Sequence, residues 1–168
     1  SELQPIVFDV EVVKDWVEAD KEGNVVLTEA VSTEEELIKA LSFGGVVTLA
    51  NDIELSKSLN VALDTVLDLN GHTLKNNKVE NTATDVIVVA EGATLTINGE
   101  GKSTIEAVTG NDGYAVISEG TVVINGGTFS GVGIYNPTEV TINGGTFNVG
   151  RDPDGASDHI SDEVTLFV

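Results

Sequence analysis

Six times along the chain, two apolar residues flank a third position and lead into a turn: Val47-Thr48-Leu49, Leu67-Asp68-Leu69, Leu95-Thr96-Ile97, Val122-Val123-Ile124, Val140-Thr141-Ile142 and Val164-Thr165-Leu166. Five of the six middle residues are polar, so the alternation has period two. In an extended chain that period puts the flanking residues on one face, and each triplet predicts a short strand with one buried side. The second apolar positions recur at steps of roughly 18 to 28 residues, the size of a stacked structural repeat.

Four of these strands run into Asn-Gly, at Asn70-Gly71, Asn98-Gly99, Asn125-Gly126 and Asn143-Gly144. Both residue types tolerate positive φ, which predicts a sharp bend at one corner of each repeat. A lone Asn-Gly reads as an antiparallel hairpin. Here a short second strand follows at a fixed offset instead, as His72-Thr73-Leu74, Gly127-Thr128-Phe129 and Gly145-Thr146-Phe147. The recurrence predicts an all-β chain wound as a right-handed single-stranded parallel β-helix of about five to six coils. Asn125 and Asn143, with Asn70 and Asn98 as further candidates, then predict a ladder of carboxamides hydrogen-bonded along the axis. Phe129 and Phe147 hold equivalent positions of adjacent coils and predict stacked core rings.

Between Ser32 and Gly45 the period changes. Ser32 with Glu35 fits a capping box, acids fill the first turn from Thr33 to Glu36, and Leu37, Ile38 and Leu41 form an apolar stripe ended by Gly44-Gly45. This predicts one helix over residues 33–42, placed to cover the first open end of the stack. The other end carries the β-prone, apolar Leu166, Phe167 and Val168 with no such cover. Residues 1–31 form a separate N-terminal β segment, with Ile6 to Val13 and Asn24 to Val31 around the polar turn Asp20 to Gly23. That segment is either a hairpin added to the stack or an attachment region for another chain. Ile6, Phe8, Val10, Trp16, Leu166, Phe167 and Val168 are the candidate interface residues, and residues 32–168 make the β-helix domain.

The stretch from Ser32 to Leu74 contains Thr33-Glu34-Glu35-Glu36-Leu37, Gly45-Val46-Val47-Thr48-Leu49-Ala50-Asn51-Asp52-Ile53 and Leu67-Asp68-Leu69-Asn70-Gly71-His72-Thr73-Leu74. It resembles the opening of the pectate-lyase-like parallel β-helix proteins, and the resemblance extends over residues 32–168. It implies the β-helix fold. That superfamily includes polysaccharide lyases and hydrolases, bacterial surface adhesins, and bacteriophage fibres and tailspikes, so function has to be read from the site.

Charge narrows the partners. With 28 acidic against 8 basic residues the net charge is −20, which repels phosphate backbones and anionic membrane surfaces. No nucleic-acid partner is expected, and a protein partner should be basic or apolar. The same acidity keeps an extended β protein soluble. With no cysteine there is neither a disulfide framework nor a thiolate metal site. No run approaches the ~18 apolar residues of a membrane span, and Ser1 to Val10 lacks the basic-then-apolar pattern of a secretion signal.

Candidate chemistry is sparse. A lyase needs a cation for the substrate carboxylate and a strong base. Arg151 is the only arginine, and it stands beside Asp152, Asp154 and Asp158 in an irregular loop. Those three aspartates are a weak Ca²⁺ candidate without EF-hand spacing or a closing bidentate Glu. Hydrolases of this fold use paired carboxylates, yet Asp68 stands alone among the strand exteriors. His72 and His159 have no Ser or Asp partner at a recognisable spacing, and no nucleophile elbow is present. Trp16, Tyr114 and Tyr135 are the remaining candidates for aromatic surface contacts. No catalytic residue and no cofactor are assigned.

The expectation is a non-enzymatic structural protein at a virion surface, a bacteriophage head fibre or capsid decoration. It would be a homo-oligomer, with a trimer in view, bound to a capsid or other surface protein. The alternative is an extracellular bacterial adhesin or saccharide-binding module, secreted or on the cell surface and in contact with a surface glycan. A polysaccharide lyase or hydrolase ranks third.

Overall fold

The computed structural model describes residues 17–19, 25–27, 30–76, 85–107, 113–130, 132–134, 139–148 and 164–166. The fold is all-β and parallel β-helix-like, with strands in three sheets and one short helix. Sheet I runs, in spatial order, β1 (Val17–Ala19), β2 (Val25–Leu27), β3 (Gly45–Thr48), β6 (Thr65–Asp68), β9 (Thr94–Asn98), β12 (Thr121–Ile124), β15 (Val140–Ile142) and β17 (Val164–Leu166). Sheet II contains β4 (Ile53–Leu55), β7 (Thr73–Asn76), β10 (Thr104–Glu106), β13 (Thr128–Phe129) and β16 (Thr146–Phe147). Sheet III contains β5 (Leu59–Val61), β8 (Ile87–Val89), β11 (Val116–Ser118) and β14 (Val132–Ile134). From β3 to β15 the chain visits sheets I, II and III in turn, each time returning to sheet I beside its previous strand. Every pair in this series is parallel; β1 with β2 is the antiparallel exception.

The period-two pattern explains why these segments form strands: inward residues stack into columns. One column of sheet I is Val47, Leu67, Ile97, Ile124 and Ile142, all buried, continuing by backbone register to Leu166. Sheet II supplies Ile53, Leu74, Ile105, Phe129 and Phe147, and sheet III supplies Leu59, Ile87 and Val116. Full burial of each such aliphatic side chain contributes roughly 1.5–3 kcal/mol.

Two expectations about register and strand number need correction. The triplets Val47-Thr48-Leu49 and Leu67-Asp68-Leu69 do not align with Leu95-Thr96-Ile97. Instead Leu67 pairs with Ile97, while Leu49 and Leu69 continue inward past the strand ends at 0% exposure. In addition, a third short strand, in sheet III, follows the sheet II strand in four repeats, β5, β8, β11 and β14, beyond the two strands per repeat read from the sequence.

Helix α1 (Glu34–Phe43) begins one residue later than the predicted capping box. Its N-cap is Thr33, whose Oγ1 accepts the Glu36 N–H at 3.2 Å, while the Glu36 carboxylate accepts the Ser32 N–H at 2.7 Å. The cause lies upstream. Val31 bridges to Leu49, with Val31 N–H donating to Thr48 O and Ala50 N–H to Val31 O, both at 2.8 Å, which holds the backbone extended up to the cap. The helix buries Leu37, Ala40 and Leu41 against β3, β4 and β5, so it covers the first end of the stack. Glu34 pins it there, accepting the Ser56 N–H at 2.9 Å and the Ser56 hydroxyl at 3.0 Å. Among the described residues no helix is long and apolar enough to cross a membrane.

The N-terminal segment joins the stack by backbone pairing, since Val26 lies opposite Val46 and Val31 is 3% exposed within the core. Its described hairpin is β1 with β2. The strand expected over Ile6 to Val13, and the interface candidates Ile6, Phe8, Val10, Trp16, Phe167 and Val168, lie outside the described residues, as do Arg151, Asp152, Asp154, Asp158, His159 and Tyr135.

Candidate functional site

The corners between sheets I and II carry a series of polar side-chain bonds along the stacking direction. After β12 and β15 the chain turns tightly through Asn125-Gly126-Gly127 and Asn143-Gly144-Gly145, with positive φ at the second glycine of each, 108° and 113°. This places the asparagines in one column. Asn143 Nδ2 donates to Asn125 Oδ1 at 2.8 Å, and Asn125 Nδ2 donates to Asn98 Oδ1 at 2.8 Å. The ladder is therefore Asn98, Asn125 and Asn143. Asn70 is not a member: its Nδ2 donates to the Leu49 carbonyl at 3.0 Å. By strand register the residue next to Asn98 is Asp68, because the second repeat is displaced by two residues.

That displacement remakes two corners. After β6 the chain turns at Leu69–His72, with φ of 50° at Asn70 and 81° at Gly71, closed by His72 N–H to Leu69 O at 2.8 Å. After β9 the chain makes a longer excursion, Gly99-Glu100-Gly101-Lys102-Ser103, with Gly101 at φ 60°. Ser103 joins the two. Fully buried, it donates its hydroxyl to Glu100 O at 2.7 Å and accepts the Gly71 N–H at 2.8 Å. The result is a groove of about 730 Å³ lined by Asp68, Asn70, Asn98, Glu100, Lys102 and Asn125 together with the corner glycines. Asp68 Oδ1 accepts the Asn70 N–H at 2.9 Å. Among the described residues, nothing accepts from Asn98 Nδ2, no donor reaches the second Asp68 oxygen, and Lys102 has no acidic partner.

The signal for Ser103, Glu100 and Lys102 was present as length. The other Asn-Gly corners reach the next strand within a few residues, whereas this one inserts Glu100-Gly101-Lys102 first.

Elsewhere, His72 Nδ1 lies 3.4 Å from Asp52 Oδ1, which also accepts the Thr73 N–H at 2.8 Å. His72 thus has an aspartate across the turn, twenty residues earlier, that spacing alone did not reveal. Phe129 and Phe147 stack with ring centroids 5.2 Å apart and an interplanar angle of 13°. On the outer face of sheet II, Thr73, Thr104, Thr128 and Thr146 share one column, and Lys75 pairs with Glu106 at 3.3 Å. No group of three His, Asp or Glu positioned to hold a metal occurs among the described residues.

A second polar junction gathers around Asp85. Its Oδ1 accepts the Tyr114 N–H at 2.9 Å, and its carbonyl accepts from the Ser58 hydroxyl and from the fully buried Asn76 Nδ2 at 3.1 Å. Burial pushes the Asp85 carboxyl above its ordinary range, and the bond from Tyr114 only partly offsets this. A raised carboxyl stabilises the fold in its protonated form. That contribution is complete below the ordinary carboxylate pKa and is lost as pH rises through the raised one. Asp85→Asn keeps an acceptor for Tyr114 without the charge, so the variant is expected to melt higher than the parent at about pH 7. The gap should close by about pH 3. Thermal melts at the two pH values check this, and a gap that widens in acid would refute it.

Neither a protein-family model, nor a curated protein, nor a solved structure matches this chain.

Proposed function

We propose that this chain is a non-enzymatic structural protein, wound as a right-handed single-stranded parallel β-helix of about five to six coils. We place it at a virion surface, as a bacteriophage head fibre or capsid decoration bound to the capsid and to neighbouring protomers. The observation that carries this reading is continuous axial bonding. Sheet I is paired without interruption from β3 to β17, and the corner carboxamides of Asn98, Asn125 and Asn143 bond to one another along the same direction. These corner side chains hold successive repeats together, which suits a stiff rod or plate.

Two further features support the setting. Helix α1 packs against β3, β4 and β5, and strands β2 and β1 extend sheet I past β3, so β1 is the end strand of the sheet, an edge where a neighbouring chain can be engaged. The charge of −20 keeps such a protein soluble and self-repelling until it meets a basic or apolar docking surface. A fibre or decoration of this kind sediments as a homo-oligomer, a trimer for a fibre. Sedimentation velocity on the full chain at micromolar concentration tests this, and a clean monomer would overturn the oligomeric reading.

A further inference from the structure

We propose that Asn143 is a site of spontaneous covalent modification, at which the Gly144 nitrogen closes on the Asn143 side chain and the asparagine becomes isoaspartate or aspartate. The hexapeptide Ile124-Asn125-Gly126-Gly127-Thr128-Phe129 recurs letter for letter as Ile142-Asn143-Gly144-Gly145-Thr146-Phe147. Local sequence therefore gives Asn125 and Asn143 equal intrinsic reactivity, and any difference between them comes from the fold. Glycine after asparagine favours this chemistry, because no side chain shields its nitrogen or restricts the turn into the ring. The Gly144 nitrogen gives its proton to solvent and attacks Asn143 Cγ, forming an N–C bond. The Cγ–Nδ2 bond then breaks, and Nδ2 takes a proton from water and leaves as ammonia. Water opens the cyclic succinimide that results. Hydrolysis at the side-chain carbonyl gives aspartate, and hydrolysis at the backbone carbonyl gives isoaspartate, with the main chain rerouted through the former side chain.

The other three Asn-Gly corners are held against ring closure. At the first, Asn70 Nδ2 is bound to Leu49 O at 3.0 Å, and the attacking group itself, the Gly71 N–H, donates to the fully buried Ser103 Oγ at 2.8 Å. At the next, Leu69 N–H donates to Asn98 O at 2.9 Å and pins the peptide plane that would have to rotate. Gly99 is also tightly packed, since a Cβ there would lie 2.9 Å from Ser103 Cβ and 3.0 Å from Gly127 Cα. Asn125 is fixed at both ends of its carboxamide: Nδ2 donates to Asn98 Oδ1 and Oδ1 accepts from Asn143 Nδ2, each at 2.8 Å, and Gly126 is buried. Asn143 has a single anchor, the bond from its Nδ2 to Asn125. It is exposed and Gly144 is half-buried, and among the described residues neither the Asn143 Oδ1 nor the Gly144 N–H is bonded. Loss of one exposed bond thus frees this side chain to turn onto Gly144, where each of the other sites must give up a further restraint. Aspartate would then set a carboxylate against Asn125 Oδ1, and isoaspartate would draw the side-chain carbonyl into the main chain. Both products end the ladder at Asn125 and add a negative charge to a chain already at −20.

The test is peptide mapping of the full chain held at mildly alkaline pH, once folded and once in urea, by mass spectrometry with fragmentation that separates isoaspartate from aspartate. In urea, Asn125 and Asn143 should convert at the same rate, as their shared hexapeptide requires. In the folded chain Asn143 is expected to convert roughly tenfold faster than Asn125, the effect of one additional hydrogen bond on a rate, and faster than Asn70 and Asn98 as well. Isoaspartate among the products marks the ring route, because direct hydrolysis of the amide yields aspartate alone. Asn143→Ala changes an exposed residue and releases Asn125 Oδ1, so conversion at Asn125 should rise several-fold in the folded variant. Equal rates at Asn125 and Asn143 in the folded chain would overturn the proposal, as would a faster Asn70 or Asn98. So would aspartate as the sole product, no conversion at Asn143 by the time the unfolded chain has converted, or an Asn125 rate unchanged by Asn143→Ala. The chemistry is independent of the virion reading and of the oligomeric state, so the sedimentation result neither supports nor removes it.

Discussion

Gly126→Ala is expected to cost about 3 kcal/mol, well above the cost of the same change at Gly71. The added Cβ at Gly126 would sit 2.3 Å from Gly99 O, a backbone atom that cannot rotate aside as a side-chain tip can. To make room, the third and fourth corners must separate, and the 2.8 Å bond between Asn125 and Asn98 lies across that gap. Overpacking of this kind typically costs 1–3 kcal/mol, and the broken amide pair, which is solvent-exposed, adds roughly 0.5–1.5 kcal/mol. Gly71 isolates the other role of glycine. Its φ is 81°, yet nothing lies within 4 Å of where its Cβ would be. Gly71→Ala therefore meets only left-handed backbone strain, about 1–2 kcal/mol. Urea denaturation of both variants separates the two effects. Equal losses would mean that backbone freedom, not close approach of the corners, is what Gly126 supplies.

The inward columns were legible because burial imposes a period that survives in the letters. Val47, Leu67, Ile97, Ile124 and Ile142 all belong to the predicted triplets and all are buried. The helix was legible from its acids and apolar stripe, although its start was set by Val31 pairing with Leu49, a contact that local capping rules do not see. The register of the second repeat was not legible, for a definite reason. A slip of one residue turns every side chain over, but a slip of two returns each to the same face. Nothing in the alternation of Leu67-Asp68-Leu69 distinguishes pairing at Leu67 from pairing at Leu69, and the shared Asn-Gly favoured the wrong one. That single slip removes Asn70 from the ladder, puts Asp68 beside Asn98 and opens the groove.

Sheet III was hidden by brevity. Its strands Leu59–Val61, Ile87–Val89 and Val116–Ser118 hold three residues each, and the chain between sheets II and III varies in length from repeat to repeat. Three residues carry too little alternation to stand out without a fixed offset. Asp85 was hidden for a similar reason, since its bonding partner Tyr114 is twenty-nine residues away. Where the repeat holds its length, the letters report the structure; where the length departs, as at Glu100-Gly101-Lys102, they report only that something else is built there.

Phe129→Ala is expected to cost about 3–5 kcal/mol, the range for deleting a fully buried aromatic ring from a core that closes only partly behind it. Phe129 is 0% exposed and stands in the sheet II column between Ile105 and Phe147, with Gly127 over its ring edge. Its loss leaves a void under the corner that carries Asn125, so core and ladder weaken together. Phe147 continues the same column and stacks on Phe129 at 5.2 Å, but it is only partly buried. Phe147→Ala should therefore cost less, roughly 1–2 kcal/mol. The double variant should fall short of the sum of the single losses by about 0.5–1.5 kcal/mol, the coupling expected of an offset-stacked pair. Urea denaturation of the three variants measures all of these quantities. If Phe147→Ala proves as costly as Phe129→Ala, the end of the column is as well covered as its middle, and a stack whose packing weakens toward Phe147 is the wrong description.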